Sequence, residues 1–189
     1  MPGEVDIGMR RCTNVFLIGY RGAGKSSVAK ELAGQLGWTW IDLDTALEAK
    51  YGHSIRTIFE QEGEQGFRDK ERRLLEEVVV RDAHVFATGG GIVLDPVNRD
   101  RMQEAGWVVW ITADAATIWQ RLQSDPATGE RRPALTVGGR AEIEALLRIR
   151  EPLYRQCADI VVDAANRLPA EIASTIREKL SELRNAKRR

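Results

Sequence analysis

Cysteine, histidine, net charge and long apolar runs are all scarce in this chain, and each scarcity excludes a class. Two cysteines, Cys12 and Cys157, stand in 189 residues with no CxxC or Cys/His cluster. They are expected as reduced thiols in a reducing compartment, with neither a disulfide framework nor a structural metal. The two histidines, His53 and His84, fall in no motif, so no imidazole base is expected. Lys and Arg number 28, Asp and Glu number 28, and the formal net charge is zero. That balance argues against a nucleic-acid or membrane-surface protein held by bulk charge, and with no obvious exposed apolar patch it leads to the expectation of a monomer. No apolar run approaches the roughly 18 residues of a membrane helix. The opening MPGEVDIGMRR carries acids and lacks the apolar core of a secretory signal, so a cytoplasmic location is expected.

What remains is an ordinary globular composition, 43% hydrophobic and 30% charged. Four apolar segments, 14–18, 84–88, 107–111 and 159–162, lack alternation and so suit parallel strands covered on both faces. A weaker fifth lies at 38–41. Amphipathic helical stretches at 25–36, 68–81, 95–105, 114–123, 140–155 and 169–186 alternate with them. The pattern predicts a single domain, residues 1–189, with a three-layer α/β/α sandwich around a five-stranded, mainly parallel sheet. Residues 123–139, with two prolines, three glycines and little periodicity, read as a mobile lid or binding loop.

The strongest chemical signal is Gly19-Tyr20-Arg21-Gly22-Ala23-Gly24-Lys25-Ser26, an intact GxxxxGK[ST] phosphate loop between a predicted strand and a predicted helix. Its glycines let successive N–H groups turn toward phosphate oxygens, and the helix N-terminus adds partial positive charge. Lys25 is expected to reach the β- and γ-phosphates and the Ser26 hydroxyl to sit on Mg²⁺, so the chain binds a nucleoside triphosphate. Phosphoryl transfer then needs positioning and charge neutralisation more than covalent chemistry. Asp42 and Asp44 lie just after the weak second strand, at the edge where open α/β sheets collect ligands. Taken alone, the pair reads equally as site acids or as a helix cap, with Asp44 preceding TALEAK. Arg68 and Glu71 share a helix face, either a surface ion pair or a carboxylate holding a guanidinium for an anionic substrate. Thr88-Gly89-Gly90-Gly91 ends a strand where something must approach the backbone closely.

Taken in order, GYRGAGKSS, Asp42-x-Asp44, GEQGFRDKE, TGGG, RRPAL and RxPLY resemble the shikimate kinases, within the nucleoside-monophosphate-kinase-like branch of phosphate-loop proteins. The resemblance runs from residue 14 to residue 169. It implies ATP-dependent phosphorylation of the shikimate 3-hydroxyl, a step toward chorismate and the aromatic amino acids, with Mg²⁺ as cofactor. Gly22, Ala23, Gly24, Lys25, Ser26 and Ser27 would wrap the phosphates. Ser26 would ligate Mg²⁺, with Asp42 acting through water. Asp44 would hold the hydroxyl and serve as its base, within a substrate-binding helical segment at about 44–82. Arg68 and Arg150 would clamp the shikimate carboxylate, the Gly90 N–H completing the site and Phe59 and Phe67 lining the ring pocket. Arg132 would close over the β- and γ-phosphates from the lid, and Arg167 would lie beside adenine. The lid reads Arg132-Pro133-Ala134-Leu135 where the family usually shows RPLL, and Ser124 and Asp125 stand where it frequently has a further arginine. Two rivals accompany this reading: a gluconate kinase, whose substrate is also a polyhydroxy acid, and a noncatalytic ligand sensor. FRxxE, TGGG and RxPLY argue against the first. The intact Lys25, Ser26, Asp42, Asp44 and Arg132 argue against the second.

Overall fold

The computed structural model describes residues 14–124 and 139–186. Its sheet has five strands: β1 (Asn14–Ile18), β2 (Thr39–Asp42), β3 (His84–Ala87), β4 (Gly106–Thr112) and β5 (Ile160–Asp163). The order is β2-β3-β1-β4-β5 and every pairing is parallel. Val15 stands opposite Val85 on one side and Trp107 on the other, so β1 is the buried centre. The connection after β1 runs toward β2 and the one after its neighbour β4 runs the other way to β5, which opens a crevice beyond the carboxyl ends of β1 and β4.

Side chains alternate across the sheet and make two cores. Val15, Leu17, Val85, Val109 and Ile111 face one way. They meet Val28 and Leu32 of α1 (Lys25–Leu36) and Ile172 and Ile176 of α7 (Pro169–Ala186). Phe16, Ile18, Phe86, Val108 and Trp110 face the other way. There they meet α2 (Leu43–Tyr51), α3 (Ile55–Val78), α4 (Pro96–Ala105) and α6 (Gly139–Cys157). A third, smaller cluster joins Tyr20 and Ile118 of α5 (Ala115–Ser124) to Ile143 and Leu147 of α6. The architecture is the expected α/β/α sandwich, with a wholly parallel sheet among the described residues. No helix among them is long and apolar enough to cross a membrane.

Three expectations change in detail. The helix expected at 68–81 begins at Ile55, capped by Ser54, whose hydroxyl accepts from the Thr57 N–H at 3.1 Å. Gly63 (φ 71°, ψ −175°) bends it, a conformation that a Cβ disfavours. The helical segment expected at about 44–82 divides into α3 and a separate α2 over Leu43–Tyr51. Its cap is Asp42 rather than Asp44: Asp42 Oδ1 accepts from the Thr45 N–H at 3.1 Å, and Asp44 stands inside the first turn. Finally, α6 continues through Pro152 to Cys157, two residues past its expected end. The segment 125–138, which carries Arg132 and most of the expected lid, lies outside the described residues.

Candidate active site

The site starts where β1 stops. Between Ile18 and Lys25 the backbone wraps back on itself and enters α1 through Gly24, whose φ of 98° would cost a residue with a Cβ about 1–2 kcal/mol. The Lys25 side chain is 8% exposed. Its ammonium donates to the carbonyls of Gly19 and Tyr20, each at 2.8 Å, and so spans the inside of the loop. Arg121 of α5 braces the same loop, donating through Nη1 to the Ala23 carbonyl at 3.1 Å and through Nη2 to the Ala164 carbonyl at 2.9 Å.

Asp42 has two tasks. One carboxylate oxygen caps α2, and the other accepts from the Ser26 hydroxyl at 2.5 Å. A hydroxyl from α1 and a carboxylate from the end of β2 therefore face one point in the cleft. Mg²⁺ takes hard oxygen ligands, keeps several waters and is usually bound by one or two carboxylates together with substrate phosphates. Ser26 and Asp42 fit that requirement. Among the described residues no group of three or more His, Cys, Asp or Glu forms a protein cage for a metal.

A cleft of about 420 Å³ opens over these groups. Gly22, Gly24, Lys25, Ser26 and Ser27 form its phosphate-loop side, while Asp42, Asp44, Thr88 and Gly90 form the side given by β2 and β3. Arg21, Arg121, Leu122 and Ser124 close the remainder. Thr88 is fixed there by donating its hydroxyl and its N–H to the Leu17 carbonyl, at 2.9 and 3.1 Å. Gly90 is fixed through its own carbonyl, which accepts from the buried Tyr154 hydroxyl. A Cβ on Gly90 would come 3.1 Å from the Arg21 nitrogen, so the loop and the triple glycine pass close together.

The two expected carboxylate-binding arginines flank this cleft without being among its lining residues. Arg68 donates to Glu71 at 2.7 Å and to Glu64 at 3.3 Å. Glu71 is 4% exposed, so the closer pair is held inside the protein. The Arg68 guanidinium lies against Gly91, where a Cβ would be 2.4 Å from Nη2. Arg150 of α6, 7% exposed, lies over the Tyr20 ring at 5.6 Å from its centre. Phe59 and Phe67 stack on each other, centroids 4.7 Å apart. Phe67 is wholly buried, with Arg68 above its ring at 5.1 Å. Neither phenylalanine is among the residues lining the cleft.

A second hollow of about 320 Å³ adjoins the first. Arg167 and Leu168 from the β5–α7 loop line it, with Thr117, Gln120 and Arg121 from α5. The Arg167 guanidinium donates to the Thr175 hydroxyl at 2.6 Å and to the Glu171 carbonyl at 3.2 Å, which holds it on the first turns of α7. Arg121 belongs to both hollows. Sequence reasoning missed it, looking for an arginine at Ser124 and Asp125 when the guanidinium comes from one turn earlier. On a helix such an arginine reads as solvated, and only its spacing from the loop could have marked it.

The model of the shikimate kinase family matches residues 21–181. A shikimate kinase of Rhodopirellula baltica is 42% identical over 164 residues, covering 86% of this chain and 88% of that protein. One from Halorhodospira halophila is 42% identical over 172 residues, covering 90% and 95%. The structure of the Acinetobacter baumannii shikimate kinase in complex with shikimate superposes with a TM-score of 0.85 at 34% identity, covering 92% of this chain and 95% of that one. The family match begins inside the phosphate loop and ends inside α7, so that every element of the site just described except its edges falls within it, and the chain belongs to the shikimate kinase family.

Proposed function

We propose that this chain transfers the γ-phosphoryl group of ATP to the 3-hydroxyl of shikimate, yielding shikimate 3-phosphate and ADP, as a single kinase domain. The observation that carries the reading is the shared cleft: Lys25, Ser26 and the loop glycines face Asp44 and Gly90 across one volume. A triphosphate on the loop would present its terminal phosphorus toward a hydroxyl held at Asp44.

Each role has a physical basis. The N–H groups of Gly22 to Ser27 bind phosphate oxygens at the N-terminus of α1. Lys25 neutralises charge on the group in transfer, and Arg132 adds a second cation. Ser26 and Asp42 would hold Mg²⁺, Asp42 through water, and the ion would supply positive charge against the phosphates. Asp44 orients the acceptor oxygen and takes its proton as the new O–P bond forms and the bond to the ADP oxygen breaks. Arg68 and Arg150 hold the carboxylate by charge-assisted hydrogen bonds, with the Gly90 N–H beside them. Phe59 and Phe67 back the ring. Arg121 and Arg167 flank the hollow that receives adenine.

The test is ADP release by purified protein with ATP and Mg²⁺, run in parallel with shikimate, with gluconate and with no acceptor. Release that depends on shikimate alone is expected. Gluconate dependence, or release that ignores the acceptor, overturns the reading.

A further inference from the structure

Tyr20, the second residue of the phosphate loop, has no task in the transfer just described, yet the structure invests heavily in it. Its side chain is 3% exposed and packs with Ile118, Ile143 and Leu147, from the two helices that border residues 125–138. One face of the ring lies under the Arg150 guanidinium, 5.6 Å from the ring centre. Arg21, which lines the cleft, places its positive charge near the hydroxyl. Burial raises the phenol's pKa, Glu142 adds to this, and Arg21 and Arg150 oppose it, so the group stays a neutral O–H.

Both carboxylate-binding arginines lie over an aromatic ring, Arg68 over Phe67 at 5.1 Å and Arg150 over Tyr20 at 5.6 Å, and they differ in their charged partners. Arg68 is also fixed by carboxylates, at 2.7 Å from Glu71 and 3.3 Å from Glu64. Arg150 is placed by its aromatic face, which orients a weakly hydrated guanidinium without neutralising it. A guanidinium neutralised by a buried acid attracts an incoming carboxylate less than one stacked on a ring. Because that ring belongs to the phosphate loop, Arg150 is also positioned relative to the phosphate being transferred.

We propose that Tyr20 is a positioning residue for substrate: its ring face fixes Arg150, and its place in the phosphate loop sets that guanidinium in register with the transferring phosphoryl group. This rests on the reading of Arg150 as a carboxylate ligand. A residue in the ATP-binding loop would then govern affinity for the other substrate, through ring area rather than through its hydroxyl.

The test uses the full chain with Tyr20→Leu, Tyr20→Met and Tyr20→Phe, measuring kcat and the KM of each substrate, with thermal melting as a check of folding. A desolvated cation–π contact corresponds to about a tenfold change, so Leu and Met should raise the shikimate KM about tenfold. The ATP KM should stay within about twofold, and Phe should return the shikimate KM to within about twofold of the parent, because the ring contact of a desolvated cation is kept. Three results overturn the proposal: an unchanged shikimate KM in folded Leu and Met variants, a parallel rise in both KM values, or a Phe variant as impaired as Leu. Absence of shikimate-dependent turnover in the parent chain would instead overturn the function, and is read before any variant.

Discussion

Replacing Gly91 by alanine adds one methyl group at a place where the three nearest atoms all belong to one guanidinium. The new Cβ would lie 2.4 Å from Arg68 Nη2, 2.8 Å from Nη1 and 2.9 Å from Cζ. Ordinary contact begins at 3.4 Å, so the guanidinium must retreat by about 1 Å. The backbone need not move, because Gly91 has φ −105° and ψ 4°, outside the left-handed region. Exchanging glycine for alanine where the conformation is compatible stiffens the unfolded chain and typically stabilises by about 0.4–1 kcal/mol. Arg68 pays instead, since its 2.7 Å bond to the buried Glu71 cannot survive the retreat intact. A hydrogen bond between charged groups contributes about 1.5–3 kcal/mol, and misplacement of a substrate contact by about 1 Å can cost about a hundredfold. The kcat/KM for shikimate should therefore fall between about tenfold and about a hundredfold. The ATP KM should hold, while the melting temperature should fall by a few degrees, because the weakened Arg68–Glu71 bond outweighs the gain from alanine. Arg68→Ala provides the internal control: if the methyl acts only through Arg68, adding Gly91→Ala to Arg68→Ala should cost little more, a large departure from additivity. Unchanged steady-state kinetics in a folded Gly91→Ala protein, or fully additive losses in the double variant, would refute the placement of Arg68 at the substrate.

Lys25→Ala should lower kcat by at least about a hundredfold, the scale expected when a preorganised charge is removed from a transition state, and near-normal turnover would contradict its role. Asp42→Ala should lose both the α2 cap, about 1 kcal/mol of stability, and the partner of Ser26. Asp42→Asn keeps a capping side chain, so it should restore melting temperature while leaving the Mg²⁺ concentration for half-maximal rate raised. Restoration of both would separate Asp42 from the metal. Burial pushes the Cys157 thiol from 9.0 up to about 12. The unfolded chain therefore sheds this proton first as pH rises, and the thiol's contribution to stability, present in full below pH 9.0, is lost as pH climbs toward about 12. Urea midpoints measured across that range should fall less steeply in Cys157→Ala than in the parent; parallel slopes would show that the thiol ionises freely in the fold.

The parts of the fold legible in the sequence were those whose signal is local. Three of the four strong apolar runs became β1, β3 and β4, inner parallel strands that need no alternation. The fourth, expected to be covered on both faces, became the edge strand β5, whose burial alternates with Val161 exposed. The phosphate loop announces itself through glycines that must turn. The weak run at 38–41 became β2, an edge strand with Trp40 exposed, which explains its poor apolar signal. The Leu43–Tyr51 helix, covered by the helical segment expected at about 44–82, has little periodic signal of its own because it is short, with only Leu43 and Leu47 buried to mark its face. Periodicity alone marked α3 only from residue 68, because Gly63 breaks the helical period in the sequence as it bends the helix in space. Asp42 and Asp44 were both legible as acids at a strand end. The sequence could not say which one would cap, because the choice turns on where the backbone first becomes helical.

Less legible were the residues that hold the others. Phosphoryl transfer asks an enzyme chiefly for position, and beyond the local Arg68–Glu71 pair that position comes from partners far away in the chain: Gly91 for Arg68, Tyr20 for Arg150, Tyr154 for Gly90, Arg121 for Ala23. None of these pairings has a motif of its own, since each depends on two elements meeting across the sheet's end. Ordering a long arginine at the moment of binding takes about 0.5–1.5 kcal/mol per side chain from the affinity. When the fold has already ordered Arg68 and Arg150, that cost falls on folding, where the core between the sheet and its helices can absorb it. The substrate then meets guanidinium groups already near their bound geometry. Disturbing a support should consequently weaken use of shikimate while leaving the fold and the nucleotide site largely as they were, which is the pattern that separates a positioning contact from one that merely stabilises.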